Sequence, residues 1–397
     1  MVKVLLEFIK KDLEFIIPEL ISVCSVYNIP IPREIDTRNL LRVLPNDLLL
    51  VADFDNVSDV ALLLSRCVLI REASVLIREA DSLDLVKQEI SNMSEDEWSP
   101  ILSAPRSSFC IRVRSVHKRL GSGKRGLEKE LASFLFPMKS FPNITKVDLS
   151  SPDASLIFYV KVETQKEANQ GPQKQTHAYF GFRPFSKASR ASKLPGLFDL
   201  RKRPFIGTTS MLADISFLTA NMALVVPGSV VYDPFCGTAS ILISCARLGA
   251  FVVGSDINRK VLNDPGLLKN FSHYGIEDRL LGFFSSDFYN SPVAKRLQVD
   301  AIVTDPPYGI RESSQRKVDN GKRERRIPFD TVLDDLFETA LRMLRVGGRL
   351  CFWMPVGNDP EESSILPVWP EGLKLVSVSQ DPVLFSWRRN LLVFERI

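Results

Sequence analysis

Through the first 95 positions, apolar residues switch between every-second and helical spacing in the order strand, helix, strand, helix, strand, helix. VKVLLEFI and LLLVADF read as strands, and residues 56–65 as a helix capped at Asn56. The hexamer VLIREA occurs twice, at 68–73 and 75–80, a copy too short to signal a repeat architecture. From about 100 to 185, SFCIRVRSV and SLIFYVKVE alternate like half-buried strands on either side of the helical GLEKELASFL. SKASRASKLPG, at 186–196, is polar and basic and reads as a linker. After about 203 the spacing changes again. SVVYD, FVVGSD, LLGFFSSD, DAIVTD and GGRLCFWMPV are short apolar runs alternating with helical segments, the pattern of a parallel sheet covered on both faces. LKLVSVS and NLLVFERI close the chain with no helix between them, so they are expected as an antiparallel hairpin. The expected fold class is therefore α/β, a seven-stranded sheet with an antiparallel last hairpin. It is preceded by two α+β units, with divisions at 1–97, 98–185, a linker at 186–202, and 203–397.

Composition narrows the class. The chain of 397 residues is 45% hydrophobic and 25% charged, with a mean hydropathy of +0.02, typical of a water-exposed globular protein. No apolar run reaches the roughly 18 residues a membrane span needs, and the first residues lack the features of a signal peptide. Six cysteines form no CxxC pair and only three histidines are present, so no metal site is expected in this chain. Scattered cysteines without export signals suit a reducing cytosol or nucleus, and the cytoplasm is the expected location.

The net charge of +4 says little, but its distribution says more. Residues 311–326 carry seven Arg or Lys against three acids, and residues 111–125 carry six and no acid. Seven more lie between Arg183 and Arg203 against Asp199 alone. Three such runs point to a polyanion. The candidate contacts are Arg112, Arg114, Lys118, Arg119, Lys124 and Arg125 around KRLGSGKR, and Arg316 and Lys317 in a loop expected to be mobile over the site.

The chemistry gathers at strand ends. SVVYD runs into DPFCGTAS, at 233–240, a strand, a glycine turn and a helix whose freed N–H groups can face a ligand. Asp233 can meet an ammonium, Asp256 a ribose diol and Asp287 an adenine amine. The fourth acid, Asp305, opens TDPPYGIRE, at 304–312, where Pro306 and Pro307 stop any regular structure. A stiff loop then holds an acid and the ring of Tyr308 at the carboxyl edge of the sheet, where open α/β folds bind ligands. Cys236 has no histidine near it in sequence and reads as a packed turn residue.

DPFCGT, the strand-terminal acids and DPPY resemble the motif set of class I S-adenosylmethionine-dependent amino-methyltransferases. FIGTTSMLADISFLTANMAL resembles the segment of that group that touches the methionine moiety, which implicates Thr209 and Ser210. Longer matches, through DLRKRPFIGTTSM, NMALVVPGSVVYDPFCGT, AIVTDPPYGIRE and VADFDNVSDVALLLSRCVLIREA, resemble the catalytic subunits of the eukaryotic tRNA guanine-10 N2-methyltransferase family. The resemblance implies a Rossmann-like class I methyltransferase sheet and a THUMP-like RNA-binding unit at 98–185. It also implies S-adenosylmethionine as methyl donor, tRNA as substrate, and a small zinc-containing activator subunit as partner. Cofactor contacts are then expected from Thr209, Ser210, Asp233, Pro234, Phe235, Cys236, Gly237, Asp256, Ile257 and Asp287. The catalytic residues are expected to be Asp305, Pro306, Pro307 and Tyr308. Ala239 departs from the family, which usually has a second glycine there, and is expected to weaken cofactor binding at most. RLLGFFSSDF reads as an apolar sheet edge where the activator docks, with Phe283 at its centre. A DNA or other RNA amino-methyltransferase, and a non-catalytic RNA-binding subunit, are the rival readings.

Overall fold

The computed structural model describes residues 1–35, 48–102, 108–116, 123–135, 146–150, 152, 154–162, 175–184, 193–208, 210–288, 297–308, 315–317, 323–325, 328–356, 366–384 and 387–397. In its first half, β1 (Val2–Phe8), α1 (Ile16–Tyr27), β2 (Leu49–Phe54), α2 (Val57–Arg66), β3 (Ile70–Ala80), α3 (Leu83–Ser91) and α4 (Glu95–Leu102) follow the order expected from the spacing. Local chemistry sets the helix starts. The Asn56 side chain accepts from the Asp59 N–H at 2.9 Å, and Ser82 Oγ from the Leu85 N–H at 3.2 Å. Both copies of VLIREA lie in or beside one long strand, β3.

Then come β4 (Ser108–Val116), α5 (Gly123–Leu135), β5 (Lys146–Val147), β6 (Ala154–Val162) and β7 (Gln175–Arg183). All seven strands form one sheet, in the order β2-β1-β3-β7-β6-β4-β5, because β3 pairs with β7. One continuous sheet therefore crosses both α+β units.

The second half holds α6 (Leu194–Leu197), α7 (Ala213–Met222), β8 (Val230–Asp233), α8 (Ser240–Arg247), β9 (Phe251–Asp256), α9 (Arg259–Leu262), α10 (Pro265–Tyr274), β10 (Leu280–Ser285) and β11 (Val299–Thr304). A short ribbon of β12 (Gln315–Lys317) and β13 (Arg323–Arg325) follows, then α11 (Phe329–Met343), β14 (Leu344–Val356), β15 (Leu373–Leu384) and β16 (Trp387–Arg396). α10 shows the terminal chemistry clearly. Asp264 caps its start, Pro265 opens its first turn, and Gly275 ends it at φ +63°. The strand order is β10-β9-β8-β11-β14-β16-β15. β8 to β11 and β14 run parallel, whereas β16 is antiparallel to both β14 and β15. The last hairpin is antiparallel as expected, and its final strand lies inside the edge strand. This is the class I methyltransferase sheet.

Successive residues of the strands feed opposite cores. Val231, Cys351, Trp353 and Leu391 pack with α7, α8 and α10, while Tyr232, Leu350, Phe352 and Leu392 pack with α11. Residues 193–202, read above as the end of the linker, pack on this body. The Phe198 ring stacks on Tyr274 at 4.1 Å and meets Phe217 edge-on at 5.4 Å.

A buried polar knot joins the two sheets. Glu19 of α1 accepts from the Val68 and Leu69 N–H groups, at 2.8 and 3.1 Å, and from Asn221 Nδ2 of α7 at 2.7 Å. Arg66 Nε donates to Asn221 Oδ1 at 2.8 Å. Every donor here has an acceptor, which is what makes polar groups tolerable in an apolar interface.

Among the described residues, no helix is long and apolar enough to cross a membrane. No group of three or more His, Cys, Asp or Glu among them is placed to hold a metal ion.

Candidate active site

The sheet order puts the carboxyl ends of β10, β9, β8 and β11 side by side, so Asp287, Asp256, Asp233 and Asp305 share one edge. After β8 the chain turns through Pro234, Phe235, Cys236 and Gly237 into α8. Gly237 sits at φ +47°, and its N–H donates to Asp256 Oδ2 at 2.9 Å. Asp256 Oδ1 accepts from the Asn258 N–H at 2.8 Å. One carboxylate thus ties two loops together, and burial raises its pKa. Ile257, beside it, is half-buried.

Asp233 is 2% exposed. Its Oδ1 accepts from Thr304 Oγ1 at 2.7 Å and from the Phe235 N–H at 3.0 Å, which fastens β8 to β11. Burial pushes its carboxyl up to about 7, with Asp256 and Asp305 adding repulsion. Cys236 is a packing residue, as expected. Its thiol is buried, raised well above the usual range by desolvation, and packed against Gly254. Ala239 caps α8 at φ +59°, in the left-handed region, and is fully buried. An L-residue there costs about 1–2 kcal/mol relative to glycine. The departure from the family thus bears on backbone conformation, and the methyl group faces the core.

The segment before α7 is pinned to the start of α8. Gly207 N–H donates to Ser210 Oγ at 2.9 Å, and Ser210 Oγ pairs with Thr238 Oγ1 at 2.8 Å. Ser240 Oγ accepts from the Met211 N–H at 3.2 Å and from Arg203 Nη1 at 2.7 Å. Ser210 is therefore at the glycine turn, and Thr209 lies outside the described residues. Thr238, Ser240 and Arg203 were not singled out from the sequence, although the first two stand inside the quoted DPFCGTAS.

Asp287 is 7% exposed and sits two residues past β10. Phe288, next to it, packs its ring 4.7 Å from that of Phe235. Asp305 leaves β11 half-buried, followed by buried Pro306 and half-buried Pro307 and Tyr308. The Tyr308 ring meets Phe329 edge-on at 5.7 Å. Asp305 Oδ2 accepts from Arg389 Nη1 at 2.9 Å, and Arg389 Nε donates to Asp381 Oδ2 at 3.0 Å. The guanidinium carbon lies 4.3 Å from the centre of the Trp353 ring. Neither Arg389 nor Asp381 carries a local sequence signal, because 84 residues separate Arg389 from Asp305.

Of the basic residues, Lys124 and Arg125 are exposed at the start of α5. Arg114 Nη2 donates to Glu72 Oε2 at 2.7 Å with Glu7 nearby at 3.8 Å, and Arg112 donates to the Leu149 carbonyl. Lys118 and Arg119 lie outside the described residues, as do the side chains of Arg316 and Lys317. The loop expected from 313 to 326 is described only at β12 and β13, which pair with each other.

Asp233 and Glu19 carry a pH dependence. Burial pushes both carboxyls up to about 7, whereas in an unfolded chain they ionise near pH 4. Folding therefore takes up protons between about pH 4 and 7. The associated stabilisation is complete below about pH 4 and is lost as pH rises through about 7. The melting temperature of the ligand-free protein should fall between about pH 5.5 and 7.5. Asp233→Asn should flatten that fall, since both bonds to Asp233 end on one oxygen that the amide retains.

A family model described as RMKL-like, methyltransferase domain, matches residues 201–324. The tRNA (guanine(10)-N(2))-methyltransferase TRMT11 of Homo sapiens is 29% identical over 367 residues, covering 84% of this chain and 76% of that protein. TrmN from Thermus thermophilus aligns with 100% of both chains at 17% identity and a TM-score of 0.48. The tRNA (guanine(10)-N(2))-methyltransferase of Saccharomyces cerevisiae is 30% identical over 423 residues. With that match spanning 99% of this chain and 93% of the yeast protein, the chain belongs to the tRNA (guanine(10)-N(2))-methyltransferase family.

Proposed function

We propose that this chain transfers a methyl group from S-adenosylmethionine to the exocyclic N2 amine of guanosine 10 in tRNA. The observation that carries the reading is the placement of Asp305 and its proline-stiffened loop at the sheet edge shared with three further acids. Family membership supplies the base and the RNA.

The edge suits a cationic nucleoside. Asp233, Asp256 and Asp305 lie close enough for mutual repulsion to raise the Asp233 pKa, and a positive ligand would relieve it. Each Asp256 oxygen accepts one backbone bond, and a carboxylate has about four acceptor sites, which leaves capacity for a ribose diol. Asp287 fits an adenine amine, and Ser210 with the Gly237 turn fits the amino-acid end. Bound there, S-adenosylmethionine supplies a methyl carbon on a sulfonium leaving group.

The remaining work belongs to the chain. The guanine amine is a poor nucleophile because its lone pair is delocalised into the ring. Asp305 and the Pro306 carbonyl each accept one of its N–H bonds, so the nitrogen can pyramidalise and turn its lone pair toward the methyl. Pro307 keeps these acceptors in place before the base arrives. Tyr308 stacks on the base, worth about 1–3 kcal/mol, against a few kcal/mol for unstacking it. Asp305 takes the proton that leaves the nitrogen.

The same reading assigns 203–397 to methyl transfer and the 1–97 and 98–185 units, the second THUMP-like, to RNA handling. Exposed Lys124 and Arg125 support that assignment, and Arg114, engaged by Glu72, contributes less. Six buried cysteines without disulfides support action in the cytoplasm. Mass mapping of tRNA incubated with the chain and its activator should place N2-methylguanosine at position 10. Absence of any methylated nucleoside, or methylation of duplex DNA instead, would overturn the proposal.

The activator is proposed to add a strand to β10, which pairs only with β9 among the described strands. Phe283 packs against Phe271 and Gly254, so replacing it would disturb the core. Leu281, 57% exposed, is the cleaner probe. Leu281→Lys should abolish co-purification of the activator while changing stability by no more than about 0.5 kcal/mol. Undiminished co-purification would remove β10 from consideration.

A further inference from the structure

We propose that Arg389 is a positioning residue for methyl transfer: it grips Asp305 by one oxygen and so fixes which face the other presents to the substrate amine. This rests on the methyl-transfer reading above.

β16 runs antiparallel to its neighbours, so its beginning, not its end, reaches the edge where β8, β9 and β11 finish. Arg389 stands there in register with Asp381 on one side and Pro355 on the other. Its side-chain direction is that of Leu391, toward the core containing Trp353. From that position its fork makes two bonds, Nη1 to Asp305 Oδ2 at 2.9 Å and Nε to Asp381 Oδ2 at 3.0 Å. The Arg389 and Asp381 side chains are 14% and 5% exposed, and that of Asp305 is 30% exposed. The guanidinium plane is supported on Trp353, which is fully buried. Trp353 is itself held, with Nε1 donating to Thr219 Oγ1 at 3.2 Å and its ring 5.9 Å from Phe15.

A guanidinium fixed at three sides has one orientation, and its fork passes that orientation to the carboxylate it binds. Asp305 follows a strand end and precedes two prolines, so backbone geometry fixes its Cα but not its side-chain rotation. Arg389 constrains that rotation through its bond to Oδ2. Lysine could satisfy either carboxylate but could not bridge both with a planar fork.

The test compares the 397-residue chain, with its activator, as wild type, Arg389→Met, Arg389→Lys, Asp305→Asn and the Asp305→Asn/Arg389→Met double variant. Arg389→Met should lower kcat about 100-fold, the scale of a misplaced reacting group, with KM for tRNA and calorimetric cofactor affinity essentially unchanged. Arg389→Lys, which keeps a charge beside Asp381 and hence the fold, should recover part of that loss. The double variant should be no slower than Asp305→Asn alone, because Arg389 acts through Asp305. Near-normal kcat in Arg389→Met, multiplicative losses in the double variant, or a parallel fall in cofactor affinity with both replacements would overturn the proposal. A wild type that methylates no RNA would overturn the functional reading and this proposal together, whereas an active wild type beside an active Arg389→Met overturns this one alone.

Discussion

Asp305→Ala and Asp305→Asn should both lower kcat for methyl transfer by on the order of 10³-fold, the range for losing one preorganised hydrogen-bonding group. Equality of the two is the informative part. Asparagine keeps an acceptor oxygen, and in isolation it could still hold one N–H of the guanine amine. Here Arg389 already donates to one oxygen at 2.9 Å. An amide at 305 would give its only acceptor to the guanidinium and turn its NH₂ toward the substrate, donor against donor. Cofactor affinity should change little, since Asp305 is proposed to face the nucleobase. The measurement is single-turnover methyl transfer to tRNA beside calorimetry with the methyl donor. An Asp305→Asn enzyme close to wild type would show that Arg389 does not dictate the side-chain orientation at 305.

Asp256→Ala should weaken cofactor binding by about 10²–10⁴-fold. Two hydrogen bonds from a ribose diol to a charged acceptor are worth about 1.5–3 kcal/mol each, and about 1.4 kcal/mol is tenfold. A second effect accompanies it, because Asp256 also receives the Gly237 and Asn258 N–H groups. Without the carboxylate both turns lose their tether, with a destabilisation of about 2–3 kcal/mol. Asp256→Asn keeps a single acceptor oxygen and so one tether, and it should lie between wild type and alanine in both melting temperature and affinity. Calorimetry and thermal unfolding on the same preparations separate the two effects. Alanine at 256 with unimpaired affinity would move the ribose away from β9.

Much of this protein was legible before any fold was known, because strand ends, turn residues and helix caps are local. Asp233, Asp256, Asp287 and Asp305 each stand where an apolar run stops, and a parallel sheet must gather such ends on one edge. The antiparallel closing hairpin followed from two adjacent apolar runs with no helix between them. Partnerships were not legible, since they depend on strand order and register between distant segments. Only the insertion of β16 between β14 and β15 brings Arg389 to Asp305, and only the neighbourhood of β8 and β11 gives Asp233 a bond from Thr304. The same limit governs the surface. Arg114 reads as a free cation until β1 and β3 place Glu7 and Glu72 beside it, and Phe283 reads as exposed until α10 supplies Phe271. Residue type and spacing set which groups could do chemistry; the packing of segments far apart in the chain set their orientation, their charge state and their partners.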